Sequence, residues 1–165
     1  FPYIKKENLI YLSQKLVEIG INSLVIFRPD NIDQSIAKKD ARKLNERIEE
    51  AVVHACEQSG CNYLPLIKYC NSLSDALDCV LDEAGPKDIF VLDTIADKLS
   101  RDIKESDAKM ISFITGPESG FSQKERLLMD QHKLLNYKIG NYILRAETAP
   151  IVALSKLHTL FGEGL

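Results

Sequence analysis

The chain has 165 residues, enough for one domain that buries roughly 70% of its unfolded surface without disulfide or metal staples. Apolar residues make up 45% and charged residues 27%, a globular balance, and the net charge of −3 gives no overall positive field to draw in nucleic acid. No apolar run approaches the ~18 residues of a membrane span, and Phe1-Pro2-Tyr3-Ile4-Lys5-Lys6 is not a signal peptide.

The elements alternate along the chain. Residues 2–4 read as the end of a strand. Lys6 to Ile19 reads as a helix, with Leu9, Leu12, Leu16 and Ile19 on one stripe and Gly20 ending it. Asn22 to Phe27 is a short branched apolar run, which predicts a buried strand broken by Pro29, Asp30 and Asn31. A polar loop, Asp30 to Lys39, leads to Asp40, which caps a helix to about Gln58 with Leu44, Ile48, Ala51, Val52 and Ala55 on its apolar face. Tyr63 to Tyr69 predicts a second strand, interrupted by Pro65. Ser74 is expected to cap a helix over Asp75 to Glu83, closed by Gly85-Pro86. Ile89 to Leu92 and Ile111 to Thr115 predict two more strands, with a charged irregular segment, Asp93 to Asp107, between them. Ser122 and Glu125 form a capping box for a helix reaching His132. A strand is expected around Lys138 to Ile143, and a last helix near Glu147 with Pro150 in its first turn. Strands alternating with helices imply an α/β fold with a mostly parallel sheet.

Two stretches carry candidate chemistry. Gly116-Pro117-Glu118-Ser119-Gly120-Phe121-Ser122 follows a strand and opens a helix, where open α/β sheets bind ligands. Its glycines let backbone N–H groups approach a ligand, though a plain strand-to-helix turn would look the same. It lacks the lysine and Ser/Thr pair of a phosphate loop, and GxGxxG occurs nowhere. Arg145, just before a helix start, opposes the helix dipole, which suits a residue gripping an anion or paired with Glu147 or Glu118.

Other features read as scaffold. Ser119 is not in a Gly-x-Ser-x-Gly elbow, and His54, His132 and His158 read as structural or exposed. The basic cluster Lys38, Lys39, Arg42, Lys43 and Arg47 is interleaved with Asp40, Glu46 and Glu49, as on a solvated helix face. The four cysteines, Cys56, Cys61, Cys70 and Cys79, lack CxxC spacing and read as buried small hydrophobes in a reducing, cytoplasmic setting. Zinc on Cys56 and Cys61 would lack a second ligand pair, so no metal is expected.

The two stretches together resemble the RsmE-type 16S rRNA (uracil-N3)-methyltransferases of the SPOUT class. Gly116 to Ser122 is similar to that family's GPEGGFS signature, and Ile139 to Ala149 to its LGxRILRxETA signature. Gln14 to Gly20 is similar to QKxxELG. Ala55 to Gly60, followed by Asn62 and Pro65, is similar to ACEQxGR. The four motifs occur in the family's order and span nearly the whole chain.

The resemblance implies a SPOUT-type, mostly parallel sheet with helices on both faces and a C-terminal deep trefoil knot. It implies a homodimer, S-adenosyl-L-methionine as cofactor and 16S rRNA of the small ribosomal subunit as substrate. It places Leu92, Thr115, Gly116, Glu118, Gly120, Ile139, Gly140, Ile143, Leu144 and Arg145 around the cofactor. Arg145 is then the group that steadies charge on the base and Glu118 a proton acceptor. Residues 1–165 correspond to the SPOUT domain. The family's N-terminal PUA-like RNA-binding domain has no counterpart here, and the chain begins where that domain would end.

Three departures stand out. Ser119 replaces a glycine, Cys61 an arginine, and Pro29-Asp30-Asn31 a Ser-Glu-Arg loop. The lost arginines suit phosphate or base contact. A degenerate SPOUT domain that binds without methyl transfer is therefore an alternative, and an unrelated α/β small-molecule binder is a more distant one.

Overall fold

In a computed structural model, residues 1–37, 41–100, 103 and 110–161 are described. The predicted cap Asp40, the basic residues Lys38 and Lys39, and much of the Asp93–Asp107 segment lie outside them. In chain order the elements are α1 (Lys6–Ile19), β1 (Ser23–Phe27), α2 (Gln34–Ala37), α3 (Ala41–Ser59), β2 (Leu66–Cys70), α4 (Leu73–Leu81), a 3-10 turn (Pro86–Asp88), β3 (Ile89–Leu92), β4 (Ser112–Thr115), α5 (Gln123–Gln131), β5 (Leu135–Tyr137) and α6 (Thr148–Phe161).

Every strand pairing is parallel: β1 with β2, and β3 with both β4 and β5, in the order β4-β3-β5. Pro2 adds a parallel bridge to Phe27. Side chains alternate across the strands with period two. Leu24 and Ile26 join a cluster with α1 and α3, while Val25, Phe27, Ile89 and Val91 face α4 and α5. Phe90 and Leu92 meet Ala153 and Leu157 of α6. Helices therefore cover both faces. The stripe of α1 is deeply buried: Leu9, Leu12 and Leu16 are each 0% exposed, and each contributes roughly 1.5–3 kcal/mol through burial. Gly20 ends α1 at φ 96°, in the left-handed region.

Four local expectations need correction. Ser72, not Ser74, caps α4: its hydroxyl accepts from the Asp75 N–H at 3.1 Å, leaving Ser74 in the first turn. The loop after β1 contains the short helix α2. β2 begins after Pro65 rather than spanning it, because proline cannot donate to a strand ladder. The expected strand at Lys138–Ile143 lies earlier, at Leu135–Tyr137. Its partner β3 ends at Leu92, so pairing stops at Tyr137 and only a single bridge, Lys138 to Leu99, follows. Residues 139–147 form a loop.

The cysteines are free thiols. Burial pushes the Cys70 thiol up to about 11 and raises that of Cys56, so both stay protonated. On α3, Arg42, Lys43 and Arg47 are exposed, and Arg42 meets Glu46 one turn on at 3.2 Å, as on a solvated face. No helix of the described residues is long and apolar enough to cross a membrane.

Candidate functional site

Because β3, β4 and β5 run parallel and side by side, their carboxyl ends, Leu92, Thr115 and Tyr137, share one edge. The loops that follow, residues 93–100, 116–122 and 138–147, rise from it. This edge is where α/β sheets hold ligands.

Thr115 closes β4. It is 2% exposed, and among the described residues its hydroxyl has no hydrogen-bond partner. A buried polar group left in that state costs about 1–3 kcal/mol. After it, the chain turns tightly. A Cβ added at Gly116 would lie 3.2 Å from the ring of Phe121, which is buried beneath the loop. Gly120 holds φ 74°, and its N–H donates to the Pro117 carbonyl at 2.9 Å. One glycine is favoured by close approach and the other by handedness.

The Gly116 loop is locked to the turn after β1. Ser119 donates to the Asn31 carbonyl at 2.9 Å, and Ser122 meets the Asp30 carboxylate at 2.7 Å. The buried Glu125 accepts from the Ser122 N–H at 2.7 Å, completing the capping box, and from the Asp30 N–H at 3.1 Å. Ser119 and the Pro29-Asp30-Asn31 turn, two separate departures in the sequence, thus touch one another. At the third departure, the Cys61 thiol donates to the Tyr63 carbonyl at 3.2 Å.

Asp93, at the end of β3, is buried and paired with Arg126 of α5. Its other oxygen accepts from the Ile95 N–H at 3.4 Å, and the Arg126 guanidinium lies 5.9 Å from the Phe121 ring centroid. This pair holds the β3 end and the Gly116 loop in one piece.

The 138–147 loop is tied at both ends. Lys138 donates through its N–H to Lys98, and its carbonyl accepts from Ser100. The Ile139 carbonyl accepts from the Ser100 hydroxyl at 3.0 Å and from the Lys156 ammonium at 2.7 Å. Ala146 is buried in the α1 cluster. Between these anchors Gly140 has open space above it, Leu144 is half-buried, and Tyr142 and Ile143 are 87% and 82% exposed. The Arg145 side chain is 85% exposed and lies 3.8 Å from Glu147, the pairing foreseen as its plainer role.

The structure therefore brings Leu92, Thr115, Gly116, Gly120, Ile139 and Gly140 to one edge, with Ile143, Leu144 and Arg145 on the neighbouring loop. Glu118 is exposed on the Gly116 loop. Sequence reasoning missed Arg126, Ser100 and Lys156. Lys156 had a signal: it is the one acidic or basic side chain between Thr148 and Leu157. Arg126 had none, since it sits in an ordinarily charged helix.

The pattern of the RNA methyltransferase domain matches residues 1–158. The chain belongs to this family. Among its relatives is ribosomal RNA small subunit methyltransferase E 1 of Borreliella burgdorferi, 30% identical over 140 residues, covering 85% of this chain and 57% of that protein. The ribosomal RNA small subunit methyltransferase E of Mesomycoplasma hyopneumoniae is 29% identical, covering 93% of this chain and 65% of that one. The chain thus spans less than two thirds of either relative. A crystal structure of ribosomal RNA small subunit methyltransferase E from Neisseria gonorrhoeae bound to S-adenosyl methionine is similar in fold, with a TM-score of 0.85 and 26% identity. It covers 96% of this chain and 64% of that one. These names agree with the group that the four motifs resemble.

Proposed function

We propose that this chain is the catalytic domain of an S-adenosyl-L-methionine-dependent methyltransferase that modifies N3 of a uridine in 16S rRNA of the small ribosomal subunit. The observation that carries the reading is the partnerless Thr115 hydroxyl, buried where three strand ends and two glycine-containing loops meet. The residues fit the cofactor. A hydroxyl and loop N–H groups suit its polar ends, and Leu92, Ile139, Ile143 and Leu144 suit its adenine and methylene faces. Gly116, Gly120 and Gly140 keep side chains out of the way. Glu118 borders the same loop.

The cofactor, when bound, supplies a methyl group activated on a sulfonium. The protein's part is to orient the base and manage one proton, and orientation supplies much of the rate in transfers of this kind. N3 of uracil must lose its proton to become a nucleophile. Glu118, an exposed carboxylate, is the proposed acceptor. Arg145 has a guanidinium only loosely engaged by Glu147, and it is the proposed partner for the negative charge on the base.

The reading includes a trefoil knot, supported only by the family to which the chain belongs. It includes a homodimer, supported by the exposed Tyr142 and Ile143. It also includes a cytoplasmic setting.

Thr115→Val tests the pocket by a pair of opposite signs. Removing a partnerless hydroxyl without changing volume is expected to leave Tm unchanged or raise it. Cofactor affinity, read by calorimetry, is expected to fall about 3–10-fold, the worth of one hydrogen bond. Equal affinity in both proteins would remove Thr115 from the pocket. The function itself is tested by titrating S-adenosyl-L-methionine into the protein and then seeking N3-methyluridine in small subunits incubated with both. Failure to bind the cofactor would sink the reading. Binding without methylation would favour the non-catalytic alternative, which positions 31 and 61 motivate because neither offers a cation.

A further inference from the structure

Lys156 is the only Asp, Glu, Lys or Arg side chain of α6. It is half-buried, and its ammonium donates to the Ser100 hydroxyl at 2.8 Å and to the Ile139 carbonyl at 2.7 Å. Among the described residues no carboxylate pairs with it. Drawing an ammonium out of water with no opposite charge beside it is unfavourable, so its placement needs a reason. Satisfying the carbonyl is not that reason. Ser100, 3% exposed, already donates its hydroxyl to the same oxygen at 3.0 Å. The lysine adds charge to a carbonyl that has a partner without it.

This carbonyl belongs to a peptide at a boundary. On its N-terminal side the chain is held. The Lys138 N–H donates to the Lys98 carbonyl at 2.7 Å, and the Ser100 N–H donates to the Lys138 carbonyl at 2.6 Å. Ile139 itself lies with Phe90, Leu92, Ala153 and Leu157. On the C-terminal side stands Gly140, exposed, where an added Cβ would meet nothing within 4 Å. Among the described residues its N–H has no partner. The peptide bonds are trans, so the Ile139 carbonyl and the Gly140 N–H share one planar unit and point opposite ways. Holding the carbonyl against Lys156 and Ser100 therefore fixes where the N–H points, away from both. A cation on the oxygen also polarises the amide and makes that N–H a stronger donor, as hydrogen bonds in a chain reinforce one another.

We infer, resting on the cofactor reading above, that Lys156 is a positioning residue: it fixes and polarises the Ile139–Gly140 peptide so that the Gly140 N–H donates to an acceptor atom of bound S-adenosyl-L-methionine. Lys156 acts through the peptide and does not itself touch the cofactor. The sign of its effect separates this role from plain electrostatics. The cofactor carries a sulfonium cation. An ammonium acting only through space would repel it, and removing the ammonium would tighten binding. Acting through the Gly140 N–H, the ammonium strengthens binding, and removing it weakens binding.

Lys156→Met keeps the length of the side chain and drops the charge. Cofactor affinity, read by calorimetry, is expected to fall about 5–10-fold, the scale of one hydrogen bond. Tm is expected to hold or rise, because a half-buried cation without a carboxylate is gone. S-adenosyl-L-homocysteine, which lacks the sulfonium charge, is expected to lose affinity by the same factor. Lys156→Arg, which returns a cation, is expected to recover part of the loss. In the protein without cofactor, the amide nitrogen resonance of Gly140 reports bonding at the preceding carbonyl. It is expected to move in Lys156→Met and to move less in Lys156→Arg. Unchanged or tighter binding in Lys156→Met, an unmoved Gly140 resonance, or a loss of affinity matched by a loss of Tm would overturn the inference and leave the functional reading standing. Failure of the unaltered protein to bind the cofactor would overturn both.

Discussion

Arg145→Ala is expected to lower methyl transfer by about 100-fold or more while leaving Tm unchanged. The two halves of this outcome have different origins. The Arg145 side chain is 85% exposed and makes only a long contact with Glu147, so little packing or pairing is lost with it. Its backbone carbonyl, which accepts from the N–H groups of Thr148 and Ala149 at 3.0 and 2.9 Å, starts α6 and is untouched by the substitution. The catalytic half follows from charge. A donor aimed at developing negative charge contributes about 10²–10³ in rate where it has been removed elsewhere. Arg145→Lys is expected to fall between, because a lysine keeps the charge and loses the planar fork. Single-turnover assays with saturating cofactor read the effect. Unchanged turnover in Arg145→Ala would leave the residue as a surface cation paired with Glu147.

Arg126→Met is expected to destabilise the protein by about 3 kcal/mol, lowering Tm by roughly 6–12 °C in a domain of this size. The carboxylate it abandons, Asp93, has a side chain only 7% exposed, whereas the Arg126 side chain is 27% exposed, so the expected cost sits at the low end for a buried pair. The penalty comes from an uncompensated charge rather than from lost attraction. Adding Asp93→Asn to Arg126→Met is therefore expected to recover most of the stability, read by urea unfolding. A double variant as unstable as the single one would mean that packing of Arg126 on Phe121, not charge, holds the loop. Either single change also loosens the β3 end against the Gly116 loop, so cofactor affinity should fall along with stability.

Much of the fold was legible because its signals are local. The stripe of Leu9, Leu12 and Leu16 and the stop at Gly20 reproduce α1 to the residue, and the Ser122–Glu125 capping box was found as it stands. The errors fall where the deciding partner is distant in sequence. Ile139 to Ile143 has the composition of a strand, but a strand needs an edge to pair with, and β3 ends at Leu92. Ser72 and Ser74 are equally good caps by type, and only the backbone conformation of Ser72, φ −152° and ψ 168°, separates them.

The candidate site divides in the same way. That the Gly116 loop follows a strand and opens a capped helix follows from the residues in order, because capping acts over a few positions. The four motifs likewise marked the family from sequence alone. Tertiary structure decided the rest. It brought Ser119 to Asn31 across 88 residues and Asp93 to Arg126 across 33, and it left the Thr115 hydroxyl buried with no partner among the described residues. Each of these depends on which strands lie side by side. Strand order is settled by the packing of both sheet faces at once, and no local run of residues encodes it.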